Sequence, residues 1–130
     1  MLIAFASLDG IHVNQHFGWS KRFELYRVSS DTACYLKTLD SSEDDIADEH
    51  EKLAYKIGSI KEADILYCAQ IGPTASKMVL ASKIHPIRSA ENEPIAEAIA
   101  KLQEVLLGNP PPWLLRIVHT SKDKETPSCL

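Results

Sequence analysis

No stretch of this sequence approaches the roughly 18 consecutive apolar residues that a membrane-crossing helix needs. Basic charge is never concentrated either. Fourteen lysines and arginines are spread along the chain against 18 acidic residues, for a formal net charge of −4. That argues against nucleic-acid binding as the main function, because neutralising phosphates takes a concentrated basic surface. It also disfavours an anionic ligand unless a few basic residues converge locally. Cys34, Cys68 and Cys129 are odd in number and far apart, and no C-x-x-C pair exists. They do not read as a disulfide framework, and a fully thiolate-ligated iron–sulfur cluster is not encoded. The N-terminal stretch MLIAFASLDG lacks a positively charged leader and a cleavage site, so no secretory signal is expected and the cytoplasm is the default location. Internal repeats and low-complexity segments are missing too.

What is present is an ordinary globular composition, 45% apolar and 25% charged over 130 residues. That length fits one domain able to bury its own core. Leu2 to Ser7 is short and apolar, as in a buried strand. Asp9-Gly10 then precedes Ile11 to Val13, a pattern that predicts a two-residue hairpin. Arg22 to Val28 reads as a third strand, and Ala33 to Leu39 as a fourth. From Asp44 to about Ile60 the spacing of Ile46, Leu53, Ile57 and Ile60 predicts a helix. Ser42 is its expected N-cap, and Glu43-Asp44-Asp45 suits its positive end. Ala63 to Ala69 reads as a buried strand, Gly72-Pro73 as the start of a short helix, and Ile84 to Arg88 as a last strand. Asn92 to Leu107 is the clearest helix, with Ile95, Ile99, Leu102 and Leu106 on one face and Gly108 at its end. This order predicts an α/β fold: a mixed sheet of about five strands flanked by helices, in a three-layer arrangement of the ribonuclease H-like kind. Residues 1–116 form the expected domain and 117–130 a flexible tail.

The densest signal is D-G-I-H-V-N-Q-H-F-G, from Asp9 to Gly18. Three polar side chains with hydrogen-bonding or ligating capacity, Asn14, Gln15 and His16, are followed by a glycine that permits a sharp change of direction. With F-E-L-Y-R-V at Phe23 to Val28, I-G-P at Ile71 to Pro73, H-P-I-R at His85 to Arg88 and L-L-G-N-P-P-P-W-L at Leu106 to Leu114, the segment resembles the NifX, NafY and NifB C-terminal domain family of nitrogenase cofactor biosynthesis. The resemblance covers residues 2–116, and the proline-rich ending favours its NifX branch. It implies the ribonuclease H-like fold and a non-enzymatic carrier or chaperone. The carrier would reversibly bind an iron–sulfur precursor of the iron–molybdenum cofactor and pass it from a NifB-type cluster synthase to a NifEN-type scaffold. The histidine of the H-F-G motif, His16 here, is implied to contact cluster iron.

The chemistry is sensible on its own terms. One neutral imidazole is a good but exchangeable ligand for iron, and a carrier must release what it binds. Hydrogen bonds and local positive charge from Asn14, Gln15, Lys21 and Arg22 would add affinity, and the helix after Gly72-Pro73 would offer free N–H groups to an anion. Cys68, near the end of a central strand, is a second candidate iron ligand, although a small buried hydrophobe is the commoner fate of such a residue. His12 reads as structural, and His50, on the apolar stripe of its helix, as a boundary residue. Pro110 to Trp113 packs the chain end onto the body or presents a partner surface. Two other functions compete. A ribonuclease H-like nuclease needs several carboxylates converging on metal ions, and the first strand holds none. A cluster-free interaction or regulatory module of the same assembly machinery fits the scarcity of ligands.

Overall fold

All five residues of the first strand, Leu-Ile-Ala-Phe-Ala, are buried. A strand covered on both faces belongs at the centre of a sheet between two layers. The computed structural model, which describes residues 1–42 and 47–121, places it there. The chain runs β1 (Leu2–Ala6), β2 (His12–Val13), β3 (Arg22–Val28), β4 (Ala33–Asp40), α1 (Glu49–Ser59), β5 (Ile65–Cys68), α2 (Pro73–Ala81), β6 (His85–Arg88), β7 (Glu93–Pro94), α3 (Ile95–Leu107) and α4 (Pro112–Thr120), with a 3-10 turn at Phe17–Trp19. The main sheet has five strands in the order β4-β3-β1-β5-β6. β1 pairs antiparallel with β3, Ala4 facing Leu25, and parallel with β5, Ala4 facing Leu66.

Alternation along β1 separates two cores. Leu2, Ala4 and Ala6 face Ile57, Ile60 and Val79 of the α1 and α2 region, with Phe17, Phe23 and Leu25. Ile3 and Phe5 face Ile95, Ile99 and Leu102 of α3 and Leu114 of α4. Phe5 lies against Tyr67 at 5.0 Å and meets Tyr26 edge-on at 5.4 Å. The mixed five-stranded sheet between two helical layers is therefore as expected.

Four local expectations are corrected. Asp9-Gly10 makes no hairpin between β1 and β2. The Asp9 carboxylate accepts the N–H groups of Ile11 and His12, both at 2.8 Å, and Gly10 turns with φ +76°. The chain is thereby led out of the main sheet, and β2 pairs with β7 in a separate two-stranded ribbon. The first helix starts at Glu49, capped by Asp48, whose side chain accepts the Glu51 N–H at 3.0 Å, and not by Ser42. The acidic run Glu43-Asp44-Asp45 and Ile46 lie outside the described residues. The third helix starts at Ile95, because Asn92 adopts φ +56° and Glu93–Pro94 is taken into the ribbon.

The fourth correction concerns the chain end. Residues 117–120, expected in the tail, complete α4, for which Pro112 supplies a pre-formed first position. Leu114 is fully buried, and Trp113 stacks on His85 at 4.0 Å. The proline-rich ending thus packs onto the body. Ser121 donates its hydroxyl to Asp64 at 2.7 Å, and the same carboxylate oxygen accepts the Leu2 N–H. The rest of the expected tail, Cys129 included, lies outside the described residues. No helix among the described residues is long and apolar enough to cross a membrane.

Candidate functional site

The segment between β1 and β3 has little secondary structure of its own and is fixed by bonds to distant parts of the chain. The Asp9 carboxylate is its first anchor. Besides the two N–H groups it binds the His12 ring at Nδ1, 2.7 Å away. These hydrogen bonds, the His12 side chain foremost, hold the Asp9 carboxyl well below the usual carboxylate range. His12 is thus a structural partner of the turn. Asn14 turns its side chain inward along the chain, its Oδ1 accepting the Leu8 N–H at 2.9 Å. Gln15 and Phe17 then straddle the end of β5. The Ala69 N–H donates to the Gln15 carbonyl at 3.0 Å, and the Phe17 N–H to the Gln70 carbonyl at 2.8 Å, so His16 sits in a parallel bridge to Gln70.

Phe17 is the apolar anchor, fully buried and 5.8 Å from the Phe23 ring. Immediately beyond, the His16 carbonyl accepts the N–H groups of Trp19 and Ser20, both at 3.1 Å, closing the 3-10 turn. Lys56 of α1, almost wholly buried, donates from Nζ to the Ser20 carbonyl and, at 3.4 Å, to that of Ser41. A buried ammonium is costly unless it is hydrogen-bonded. Here it clamps the end of the turn to α1.

The His16 backbone is therefore held from several sides, while its side chain is not. The imidazole is half-buried and lies flat against the Trp19 indole, 4.3 Å between centroids and 13° between planes. Among the described residues neither ring nitrogen has a hydrogen-bond partner. A neutral imidazole in that state keeps a lone pair available to a metal. Trp19 itself is 71% exposed.

Gln15, Lys21 and Arg22 come together with Ser7, Leu8 and Trp19 around a pocket of about 280 Å³ beside this stack. The Gln15 amide donates to the Asn14 carbonyl at 3.1 Å. Arg22 donates from Nη2 to the Leu8 carbonyl at 2.6 Å, and its Nε lies 3.6 Å from the carboxylate of Glu24. Glu24 is buried and also accepts the Thr38 hydroxyl at 2.9 Å. The Arg22 charge is thus partly neutralised on the protein side. Asn14 and His16 do not line this pocket, and Trp19 belongs both to it and to the His16 stack. α2 begins three residues beyond Gln70, with Gly72 as its N-cap and no side-chain cap.

Cys68 ends β5 as expected, but its thiol is fully buried within the α1 and α2 core, and burial pushes it up to about 12. At neutral pH it is a thiol and not the thiolate that binds iron. Among the described residues no three histidine, cysteine or acidic side chains converge as a metal site. Glu24 and Asp64 are buried carboxylates that no motif of the sequence marks, and each is engaged by its own hydrogen bonds. His50 is exposed on α1. No sequence motif marks Trp19 either. Its only signal in the sequence is its place three residues after His16, within the reach of one tight turn.

The model of the dinitrogenase iron–molybdenum cofactor family matches residues 1–105. Protein NifX of Herbaspirillum seropedicae is 37% identical over 126 residues, covering 95% of this chain and 86% of that one. Protein NifY of Azotobacter vinelandii is 30% identical over 122 residues, covering 94% of this chain and 50% of that one. A crystal structure from Methanocaldococcus jannaschii superposes with a TM-score of 0.61 at 17% identity, covering 82% of this chain and 90% of that one, a likeness of fold alone. With the family's model matched over most of its length and a NifX relative alike along nearly all of it, the chain belongs to the dinitrogenase iron–molybdenum cofactor family, as a protein of NifX type.

Proposed function

We propose that this chain is a non-enzymatic carrier that transiently binds an iron–sulfur precursor of the iron–molybdenum cofactor, with His16 as the contact to cluster iron. Membership of the family places the chain in the biosynthesis of that cofactor. The observation that carries the finer reading is the state of His16: backbone pinned to β5, imidazole half-buried and both ring nitrogens without a protein partner among the described residues. A single such ligand binds iron and lets it go. Gln15, Lys21 and Arg22 border the adjoining pocket and would meet the anionic cargo with amide and cationic groups, while Asn14 shapes the loop through Leu8. Cys68 would ligate only after the core around it opened.

The cargo passes, on this reading, from a NifB-type cluster synthase to a NifEN-type scaffold in the cytoplasm. The strand order β4-β3-β1-β5-β6, with the first three strands antiparallel neighbours and the last two parallel, supports a ribonuclease H-like label for the fold. The nuclease chemistry of such folds has no support here, since Asp9, Glu24 and Asp64 are tied to separate partners. A cluster-free interaction module is the second reading, favoured by the exposed apolar side chains of Leu8, Ile11 and Trp19 around the loop.

Anaerobic loading separates the two. The apo-protein and its His16→Ala variant are mixed with the isolated NifB-type cluster, passed through gel filtration, and assayed for iron per chain. Near-stoichiometric iron on the wild type and little on the variant is expected. Iron on neither would leave the interaction module as the better reading.

A further inference from the structure

A histidine that ligates a metal ordinarily gives its second ring N–H to a carboxylate, a backbone carbonyl or a water, and that bond fixes the ring and raises its basicity. His12 in this same loop has such a partner, Asp9 at 2.7 Å. His16 has none among the described residues. Its ring is nevertheless aligned, because the Trp19 indole lies 4.3 Å away and 13° from parallel.

We propose that Trp19 is the positioning residue for His16, its indole holding the imidazole so that a ring nitrogen meets an incoming cluster iron edge-on. The inference rests on the carrier reading above and adds to it a cause for weak, exchangeable ligation. Three observations support the assignment. His16 is the N-cap of the 3-10 turn and its carbonyl accepts the Trp19 N–H, so the backbone brings the two residues to opposite ends of one turn. That backbone is clamped at both ends, at His16 by the bridge to Gln70 and at Ser20 by Lys56, so the Cα positions from which the two rings extend are fixed. Trp19 also leaves most of its surface in water while lining the pocket with Gln15, Lys21 and Arg22, where a core tryptophan would be enclosed.

A stack orients a ring without polarising it. An imidazole lacking a hydrogen-bonded N–H is a poorer donor to iron than one paired with a carboxylate. Alignment by an aromatic face therefore gives a ligand that is geometrically ready and thermodynamically weak, the combination that a transfer protein requires. One face of the imidazole is at the same time closed to solvent.

The test compares wild type, Trp19→Phe, Trp19→Ala and His16→Ala in anaerobic titrations with the isolated NifB-type cluster. Dissociation constants are read alongside the 14N coupling of a paramagnetic cluster state by pulsed EPR. Urea midpoints confirm that each variant is folded. An aromatic stack of ordinary strength predicts that Trp19→Ala weakens binding about threefold to tenfold and broadens or abolishes the 14N coupling. Trp19→Phe should stay near wild type in both. Trp19→Ala with an unchanged constant and unchanged 14N coupling, while His16→Ala loses both, would overturn the inference and leave the carrier intact. Wild-type behaviour of His16→Ala would overturn His16 ligation and this assignment together.

Discussion

Replacing Phe17 by alanine should remove the apolar anchor of the His16 loop. The side chain is fully buried, lies beside Phe23, and belongs to the core formed with α1 and α2. A buried phenylalanine cut back to alanine costs about 3–5 kcal/mol, a large part of the about 5–15 kcal/mol that holds a domain folded. With a urea slope of about 1.5 kcal/mol/M for a domain of this size, the midpoint should fall by about 2–3 M. Phe17→Leu keeps most of the volume and should cost only about 1–1.5 kcal/mol. Equilibrium urea unfolding followed by far-UV circular dichroism measures both. Because the Phe17 N–H is bonded to Gln70 whichever side chain it carries, the leucine variant should retain the bridge and the His16 stack. Its indole near-UV signal should then match wild type. A loss below about 1 kcal/mol for Phe17→Ala would refute the anchor argument, since the loop would then be held by its hydrogen bonds alone.

Other expectations follow from single groups. Burial lowers the pKa of His85, so between its folded value and the ordinary 6.5 the unfolded chain binds more protons. Stability should therefore rise with pH through that window and level off on either side of it, with the contribution lost once the pH has fallen through the folded value, and His85→Gln should flatten the dependence in a series of melting curves. Cys68 is shifted the other way, from 9.0 up to about 12, so its contribution is complete below pH 9 and is lost as pH rises towards 12. Iodoacetamide at pH 8 should accordingly leave Cys68 unmodified in peptide maps of the native protein and label it fully in urea. Gly10 sits at φ +76° with nothing closer than 4.0 Å to an added Cβ. Gly10→Ala should thus cost about 1–2 kcal/mol from backbone strain alone, and an unchanged urea midpoint would show that the turn relaxes.

The strands of the main sheet are legible as short apolar runs because burial on both faces leaves no room for polar residues, as in Leu2–Ala6 and Ile65–Cys68. The connection between them is less so. Asp9-Gly10 between apolar residues carries the same letters as a hairpin turn. What decides is whether the carboxylate captures the N–H groups of Ile11 and His12, a bond that no hydrophobic pattern records. α4 is hidden for a different reason. It has nine residues and begins on the last of three consecutive prolines, which read as a chain ending, yet proline is favoured at a helix's first position and Leu114 finds a place in the α3 core. At the candidate site, His16 stands out through its motif. Its lack of a hydrogen-bond partner, the Trp19 stack and the Lys56 clamp depend on residues that only the folded backbone brings together.

The straps on the loop have a consequence for how the protein is made. Residues 15–17 are bonded to 69–70, and 11–13 to 93–95, so the frame around His16 closes only after the chain has been synthesised well past its midpoint. Contacts so distant in sequence form late, because loop closure comes before any return from the bonds. A nascent or misfolded chain has the same histidine but lacks the frame that aligns it. If the proposed carrier role holds, competence to accept cargo is thereby coupled to completed folding, and half-made copies would compete poorly for it.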